Sequence, residues 1–226
     1  VEFMNAGGVL FGVKDYVPAL EEYVKKYDAK LNFFHNLIAI DGPGKTATFK
    51  VEKPGSEVEK IVVPFDMIHV CPPQCAPDFI KVSPLADENG WVDVDQSTLR
   101  HKHFANIWGL GDATNTPNAK TAAAARKQAP VVAANIIADL AGKEPTAQYD
   151  GYGSCPLTVE RGKIVLAEFG YGGVLKPSFP RSIFDGTKPS ALAWILKARI
   201  LPPIYWRAML RGHEWLAEPQ KIDAKS

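Results

Sequence analysis

Hydrophobic and polar residues alternate along this chain in short blocks whose period switches several times. Residues 1–4 read as a strand and lead into the glycine-bearing loop Ala-Gly-Gly-Val-Leu-Phe-Gly. Between residues 14 and 27, Tyr16, Val17, Leu20, Tyr23, Val24 and Tyr27 recur at helical spacing with charges between them, which predicts a helix with one apolar face. Residues 31–35 resume as a strand. Residues 46–51 and 58–63 flank Lys53-Pro54-Gly55-Ser56, whose turn chemistry predicts a hairpin. Residues 65–70 form a further apolar strand candidate, stopped by Cys71-Pro72-Pro73. Such alternation predicts an α/β architecture.

Residues 71–90 are rich in proline and polar side chains and read as a crossing between domains. Residues 90–95 alternate like a strand with one polar face, and the apolar run 104–110 ends in Gly109-Leu110-Gly111-Asp112. A polar turn and an alanine-rich helix over about 119–140 follow. Ala129, Val132, Ile136, Ile137 and Leu140 form its one-sided stripe, Pro130 should kink it and Gly142 should stop it. Residues 164–169 read as a strand. From 188 to 211 the chain holds Lys188, Lys197, Arg199, Arg207 and Arg211 and no acid, with Trp194, Tyr205 and Trp206 set among aliphatics.

With 226 residues the chain is long enough for one large or two small domains and a sizeable core. A net charge of +1 gives no global reason to expect nucleic acid, and no nucleic-acid module stands out. Three cysteines, Cys71, Cys75 and Cys155, do not make a disulfide framework, so each thiol is either inert or chemical. The five histidines form no metal-like set, so no metal is expected, and His101-Lys102-His103 reads as a solvated turn. No apolar run reaches the length needed to span a bilayer. The strand-like start at Val1, with no Met or leader before it, is expected to lie partway through a larger protein.

The stretch from 107 to 140 carries the chemistry. Asp112 stands where it can accept hydrogen bonds from ligand hydroxyls, and residues 118–121 precede a helix whose first N–H groups lack partners. That arrangement suits an anionic ring or a phosphate. A plain Gly-Asp turn with a capping acid has the same sequence, and the residues alone leave both readings open. Cys155, in Gly-Tyr-Gly-Ser-Cys-Pro-Leu, has small neighbours that permit close approach, although an inert thiol would look the same. The basic, aromatic segment 188–211 fits helices lying in a membrane surface, or a helical hairpin packed on its domain.

Gly-Leu-Gly-Asp-Ala-Thr-Asn-Thr-Pro followed by Ala-Lys-Thr-Ala-Ala-Ala-Ala-Arg-Lys-Gln resembles the second FAD-contacting segment of the flavoprotein disulfide reductases. It is similar in particular to the sulfide:quinone oxidoreductase family. Val-Leu-Phe-Gly-Val-Lys-Asp-Tyr, His-Val-Cys-Pro-Pro-Gln-Cys, Gly-Trp-Val-Asp-Val-Asp, Tyr-Asp-Gly-Tyr-Gly-Ser-Cys-Pro-Leu, Val-Leu-Ala-Glu-Phe-Gly-Tyr and Ile-Tyr-Trp-Arg-Ala-Met-Leu-Arg-Gly extend the likeness in order along the chain.

The resemblance implies a two-dinucleotide-domain, Rossmann-like α/β fold, incomplete here, with an amphipathic helical membrane-binding tail. Residues 1–82 would be the later part of the second dinucleotide domain, 83–148 the returning segment of the FAD domain, and 149–226 the redox, quinone and membrane region. FAD would be held by Gly111 and Asp112 at its ribityl chain, by Lys120 and Thr121 at its pyrimidine edge, and approached by Lys197. Cys155 would be one of two redox cysteines, its partner lying before Val1, as would the glycine-rich FAD fingerprint absent from this chain. Phe169, Tyr171, Trp194, Tyr205 and Trp206 would serve the quinone and the membrane. Implied partners are sulfide, quinone and a sulfur acceptor such as a small thiol or sulfite, on a bacterial cytoplasmic or mitochondrial inner membrane. Cys71 and Cys75 depart from the hydroxyl residues frequent at those positions; they are read as small strand-end residues, with an auxiliary thiol the other option. Two other readings are a type-II NADH:quinone dehydrogenase-like flavoenzyme and a non-catalytic membrane-binding fragment.

Overall fold

A computed structural model describes residues 1–118, 120–213 and 217–222. The fold is mixed α/β with open sheets, in two compact units, Val1–Pro73 and Gln74–Ser226. In the first unit, strand β1 (Glu2–Asn5) pairs in parallel with β2 (Lys30–Phe33), and helix α1 (Val17–Lys26) makes the crossover. Pro18 sits in the first turn of α1, where its missing N–H is not needed. An antiparallel meander follows: β3 (His35–Asp41), β4 (Thr46–Val51) and β5 (Glu59–Pro64). Ala47, Phe49 and Val51 of central β4 are buried in strict alternation, as one packed sheet face requires. The hairpin turn forms as predicted, with Ser56 N donating to Lys53 O and Gly55 at φ 76°.

Two expectations in this unit are corrected. The strand predicted over 31–35 breaks into β2 and β3 at Phe34, whose φ is 62°. The Phe34 ring covers Gly8 so closely that a Cβ there would lie 2.5 Å from it, so the unusual backbone and the glycine form one packing solution. Residues 65–70 are not a strand. An apolar run becomes a strand only where a ladder receives it, and among the described residues β5 is the last strand of its sheet.

The second unit opens with the short helix α2 (Asp78–Lys81), whose Ile80 enters a core with Val92, Val94, Leu99, Val131, Val132, Ala147 and Tyr149. The strand predicted at 90–95 and the apolar run at 104–110 form isolated bridges, such as Val92 with Thr114 and Arg100 with Trp108. Side chains finish what the ladder does not. Asp95 Oδ1 accepts from Ser97 N, Thr98 N and Thr98 Oγ1, while Asn115 bonds Val94 N and Asp93.

Helix α3 (Ala122–Leu140) is favoured by its alanines and begins at Thr121, whose Oγ1 accepts from Ala124 N at 3.2 Å. The predicted start at Ala119 lies outside the described residues. α3 stays continuous past Pro130 and ends as predicted at Gly142, which takes φ 68° while Lys143 N returns to Ala138 O. The predicted packing stripe is wrong for most of its length. Ala129, Ile136, Ile137 and Leu140 face outward, with Ile137 67% and Leu140 83% exposed; of that stripe only Val132 is buried. The inward face carries Gln128, Val131, Asn135 and Ala138. Asn135 is fully buried, donates to Thr98 O and Ala147 O, and accepts from Thr146 N and Ala147 N. His101 is also corrected. It is 3% exposed, its Nδ1 accepts from His103 N and Phe104 N, and its Nε2 donates to Leu85 O.

β6 (Ala147–Gln148) leads to the antiparallel pair β7 (Gly153–Glu160) and β8 (Lys163–Phe169); β6 itself pairs with a later strand, β9 (Gln220–Lys221). Between β8 and β9 run α4 (Ala191–Ile195), a π-helical turn over Leu196–Ile200 and α5 (Leu201–Arg207). Ala193 packs on Ile164 and Leu166 of β8. No helix among the described residues is long and apolar enough to cross a membrane.

Replacing Asn135 by leucine should lower unfolding stability by on the order of 3 kcal/mol, because two carbonyls and two N–H groups would lose buried partners. Chemical denaturation measures this; a loss below about 1 kcal/mol would mean that water replaces the amide.

Candidate functional site

Of the residues singled out around Asp112, Asp112 itself and Lys120 line a cleft. Gly109 N donates to Leu99 O, and a Cβ on Gly109 would lie 2.9 Å from Thr114 Cγ2, so no side chain fits. Gly111 takes φ 70°, and its N–H donates to Gln128 Oε1 at 2.6 Å. These two glycines fold the chain back tightly and leave Asp112 exposed to solvent. Asp112, Ala113, Trp91, Lys120, Gln74, Cys75 and Pro77 line a cleft of about 430 Å³. A second cavity, by Lys127, Val131 and Tyr149, has about 30 Å³, room for no more than a water.

Lys120 reaches across this cleft wall. Its Nζ donates to Thr114 O and stands 3.9 Å from the centre of the Trp91 ring. Burial pushes the ammonium below the usual lysine range, opposed by the charges of Asp112 and Asp87. Asn118 Nδ2 is buried and has no hydrogen-bond partner among the described residues. The start of α3 is closed by Thr121, and Thr121 Oγ1 lies 3.9 Å from where a Cβ of Gly153 would be.

That contact joins the cleft's flank to Cys155. Gly153 and Cys155 are alternate residues of β7, pairing with Phe169 and Ala167, so they share one sheet face about 7 Å apart. Thr121, Gly153, Cys155 and buried Phe169 are thus neighbours through tertiary structure. The Cys155 thiol is half-buried, and that burial pushes its pKa up. Cys71 and Cys75 are exposed; Cys71 Sγ lies 3.7 Å from His69 Nε2, and Cys75 lines the cleft.

The remaining predicted residues divide between two places. Tyr171 donates to Gln96 O and packs edge-on against Tyr149 at 5.7 Å. Trp194 packs against the Ile164–Leu166–Ala193 cluster. Tyr205 and Trp206 stack edge-to-face and are 44% and 66% exposed. Lys197 Nζ donates to Pro156 O at 2.9 Å and Thr158 Oγ1 at 2.8 Å, fastening the helical tail to β7. By strand alternation Thr158 projects from the face opposite Cys155.

The chain is 42% identical over 212 residues to the mitochondrial sulfide:quinone oxidoreductase of Mus musculus, covering 93% of this chain and 46% of that protein. For the proteins of the same name in Dictyostelium discoideum and Schizosaccharomyces pombe, identity is 41% and 38%, over 94% and 95% of this chain. The chain is homologous to sulfide:quinone oxidoreductase. It spans about half the length of these curated relatives, 45% and 47% for the latter two. A chain of the cryo-EM structure of the Tetrahymena thermophila mitochondrial ATP synthase F1Fo composite tetramer superposes with TM-score 0.73 and 26% identity, over 90% of this chain and 48% of that one. No protein-family model matches.

Gln74, Pro77 and Trp91 of the cleft lining, and Gln128 behind the Gly111 turn, escaped the sequence reading. Gln128 left a signal, an amide set among the alanines and valines of the helix.

Alkylation should distinguish the three thiols. Cys155 should react with a maleimide more slowly than Cys71 and Cys75 at neutral pH, and should need a more alkaline pH than a small-molecule thiol for half-maximal rate. Mass spectrometry of time points reads this; Cys155 labelling as fast as the exposed pair would contradict its burial.

Proposed function

We propose that this chain is part of an FAD-dependent sulfide:quinone oxidoreductase, oxidising sulfide to persulfide and passing two electrons to a membrane quinone. The observation that carries the reading is the approach of Thr121, at the head of α3, to the face of β7 that bears Cys155, in a chain about 40% identical to such enzymes. The residues fit the cofactor. Asp112 is an exposed acceptor for ribityl hydroxyls, and Gly109 and Gly111 make a turn in which no side chain obstructs the approach. Asn118 Nδ2 is a buried donor without an acceptor among the described residues, and Lys120 with the α3 N-terminus supplies positive potential for the pyrimidine edge. FAD, when bound, accepts the two electrons and returns them to quinone.

This chain's own part in the chemistry is electrophilic. Cys155, paired in a disulfide with a cysteine outside this chain, is attacked by hydrosulfide. The S–S bond breaks, a persulfide stays on one sulfur and the other leaves as thiolate. A cysteine whose thiol is held protonated is a poor nucleophile, but a disulfide sulfur needs only access. The sulfane sulfur then leaves to a small thiol or sulfite.

Residues 1–82 fit the later part of a second dinucleotide domain, 83–148 the returning FAD segment, and 149–226 the redox and attachment region. Leu192, Ile195, Ile200, Leu201, Tyr205, Trp206 and Leu210 are exposed beside Arg199, Arg207 and Arg211, which suits peripheral attachment to a respiratory membrane. Lys197 serves there by pinning the tail to β7. Phe169, Tyr171 and Trp194 are proposed to serve the quinone or the membrane from that region.

In the protein completed by the remainder of the enzyme, sulfide should bleach the visible flavin band. Cys155→Ser should abolish turnover, and Cys71→Ser with Cys75→Ser should leave it within about twofold. Bleaching by NADH but not by sulfide would replace this reading with a type-II NADH dehydrogenase.

A further inference from the structure

We infer that the cleft beside Asp112 is a site of reversible thiol modification. Cys75 takes up a small, amino-acid-derived thiol there as a mixed disulfide, and the adduct closes the cleft. The inference rests on the proposed function only in taking the cleft to be the cofactor's.

The cleft brings a nucleophile together with the groups that would receive its adduct. Cys75 is exposed and shares the cleft wall with Asp112, Lys120 and Trp91. Disulfide exchange needs a sulfur that a second disulfide can reach in line, and half-buried Cys155 offers less of that access. At about 430 Å³ the cleft falls within the roughly 300–1,000 Å³ of small-molecule sites, so an adduct on Cys75 has room to lie inside it.

The lining selects the chemistry of the adduct. Lys120 Nζ donates to Thr114 O and keeps further N–H groups for a carboxylate. Asp112 is an exposed carboxylate that can accept from an ammonium, and Trp91 supplies an apolar wall between polar groups. Two opposite charges on one wall fit a zwitterion better than a simple anion or cation, because each charge then gains a charge-assisted hydrogen bond. A thiol that carries both an α-ammonium and a carboxylate meets both.

The exchange balances without a further reactant. The Cys75 thiolate attacks one sulfur of a small-thiol disulfide, R–S–S–R. That S–S bond breaks, a bond forms from Cys75 Sγ to one R–S half, and the other half leaves as R–S⁻ and takes a proton from solvent. Cys75 is oxidised and the departing half is reduced; excess small thiol runs the step backwards. While the adduct is in place it fills the space between Asp112 and Lys120, so modification and cofactor binding exclude each other. Serine at position 75 has no such chemistry.

The test uses the full chain and glutathione disulfide, with 2-hydroxyethyl disulfide as an uncharged control and Cys71 as the internal one. Peptide mass spectrometry of time points should show the glutathione adduct forming about fivefold or more faster at Cys75 than at Cys71. The uncharged disulfide should show no such preference, and Lys120→Gln, checked for folding by circular dichroism, should remove it. In the flavin-free enzyme completed by its remainder, glutathione disulfide should weaken FAD binding about tenfold or more by flavin fluorescence. A dithiol should restore binding, and Cys75→Ser should not respond. Equal labelling of the two thiols, a preference that persists with the uncharged probe, a Cys71–Cys75 bridge in place of the adduct, or unchanged FAD binding overturns the proposal. If the unmodified completed protein binds no FAD while the Cys75 preference holds, the proposed function falls and the modification site stands.

Discussion

Two buried amides on one face of α3 hold the second unit together. Gln128 and Asn135 stand seven residues apart, two turns of helix, and so point the same way. Gln128 receives the N–H of Gly111 and meets the hydroxyl of Tyr149; Asn135 satisfies four backbone groups of residues 98, 146 and 147. The segments they bind are irregular, with isolated bridges in place of full ladders, and their backbone groups need partners from side chains. An amide supplies donors and an acceptor together. An apolar residue in either place would pack without satisfying them.

The candidate site inherits its shape from this arrangement. Gln128 fixes the Gly111 turn, which leaves Asp112 at the cleft, and the same helix begins at Thr121 beside Gly153. One rigid element therefore sets both the acceptor and the face of β7 that carries Cys155. Burial then tunes the two ionisable groups in opposite senses, lowering Lys120 and raising Cys155, each toward its neutral form.

Two helical segments of different character expose apolar side chains. The tail mixes its aliphatics with Trp206, Tyr205 and three arginines, and Lys197 anchors it to β7. The outer side of α3 from Ala129 onward exposes alanines and the aliphatics Ile136, Ile137 and Leu140. Periodicity in the sequence finds a stripe on either helix but not the direction in which it faces. α3 shows this plainly, since most of its predicted apolar stripe turned outward while Gln128 and Asn135 went in.

Sequence by itself determined the local elements whose causes are local: α1 from its spacing, the 53–56 turn from Pro and Gly, the end of α3 from Gly142. It also carried the likeness to sulfide:quinone oxidoreductase, because ordered motifs are a property of the chain and not of its packing. Only tertiary structure decided that residues 65–70 have no ladder, that Phe34 turns to cover Gly8, and that His101 is a buried acceptor for two N–H groups. It alone brought Thr121 to Gly153 and carried Lys197 to the β7 carbonyl. The physical reason is common to these cases. A backbone polar group must find a partner wherever it is buried, and which side chain answers depends on what lies across space from it.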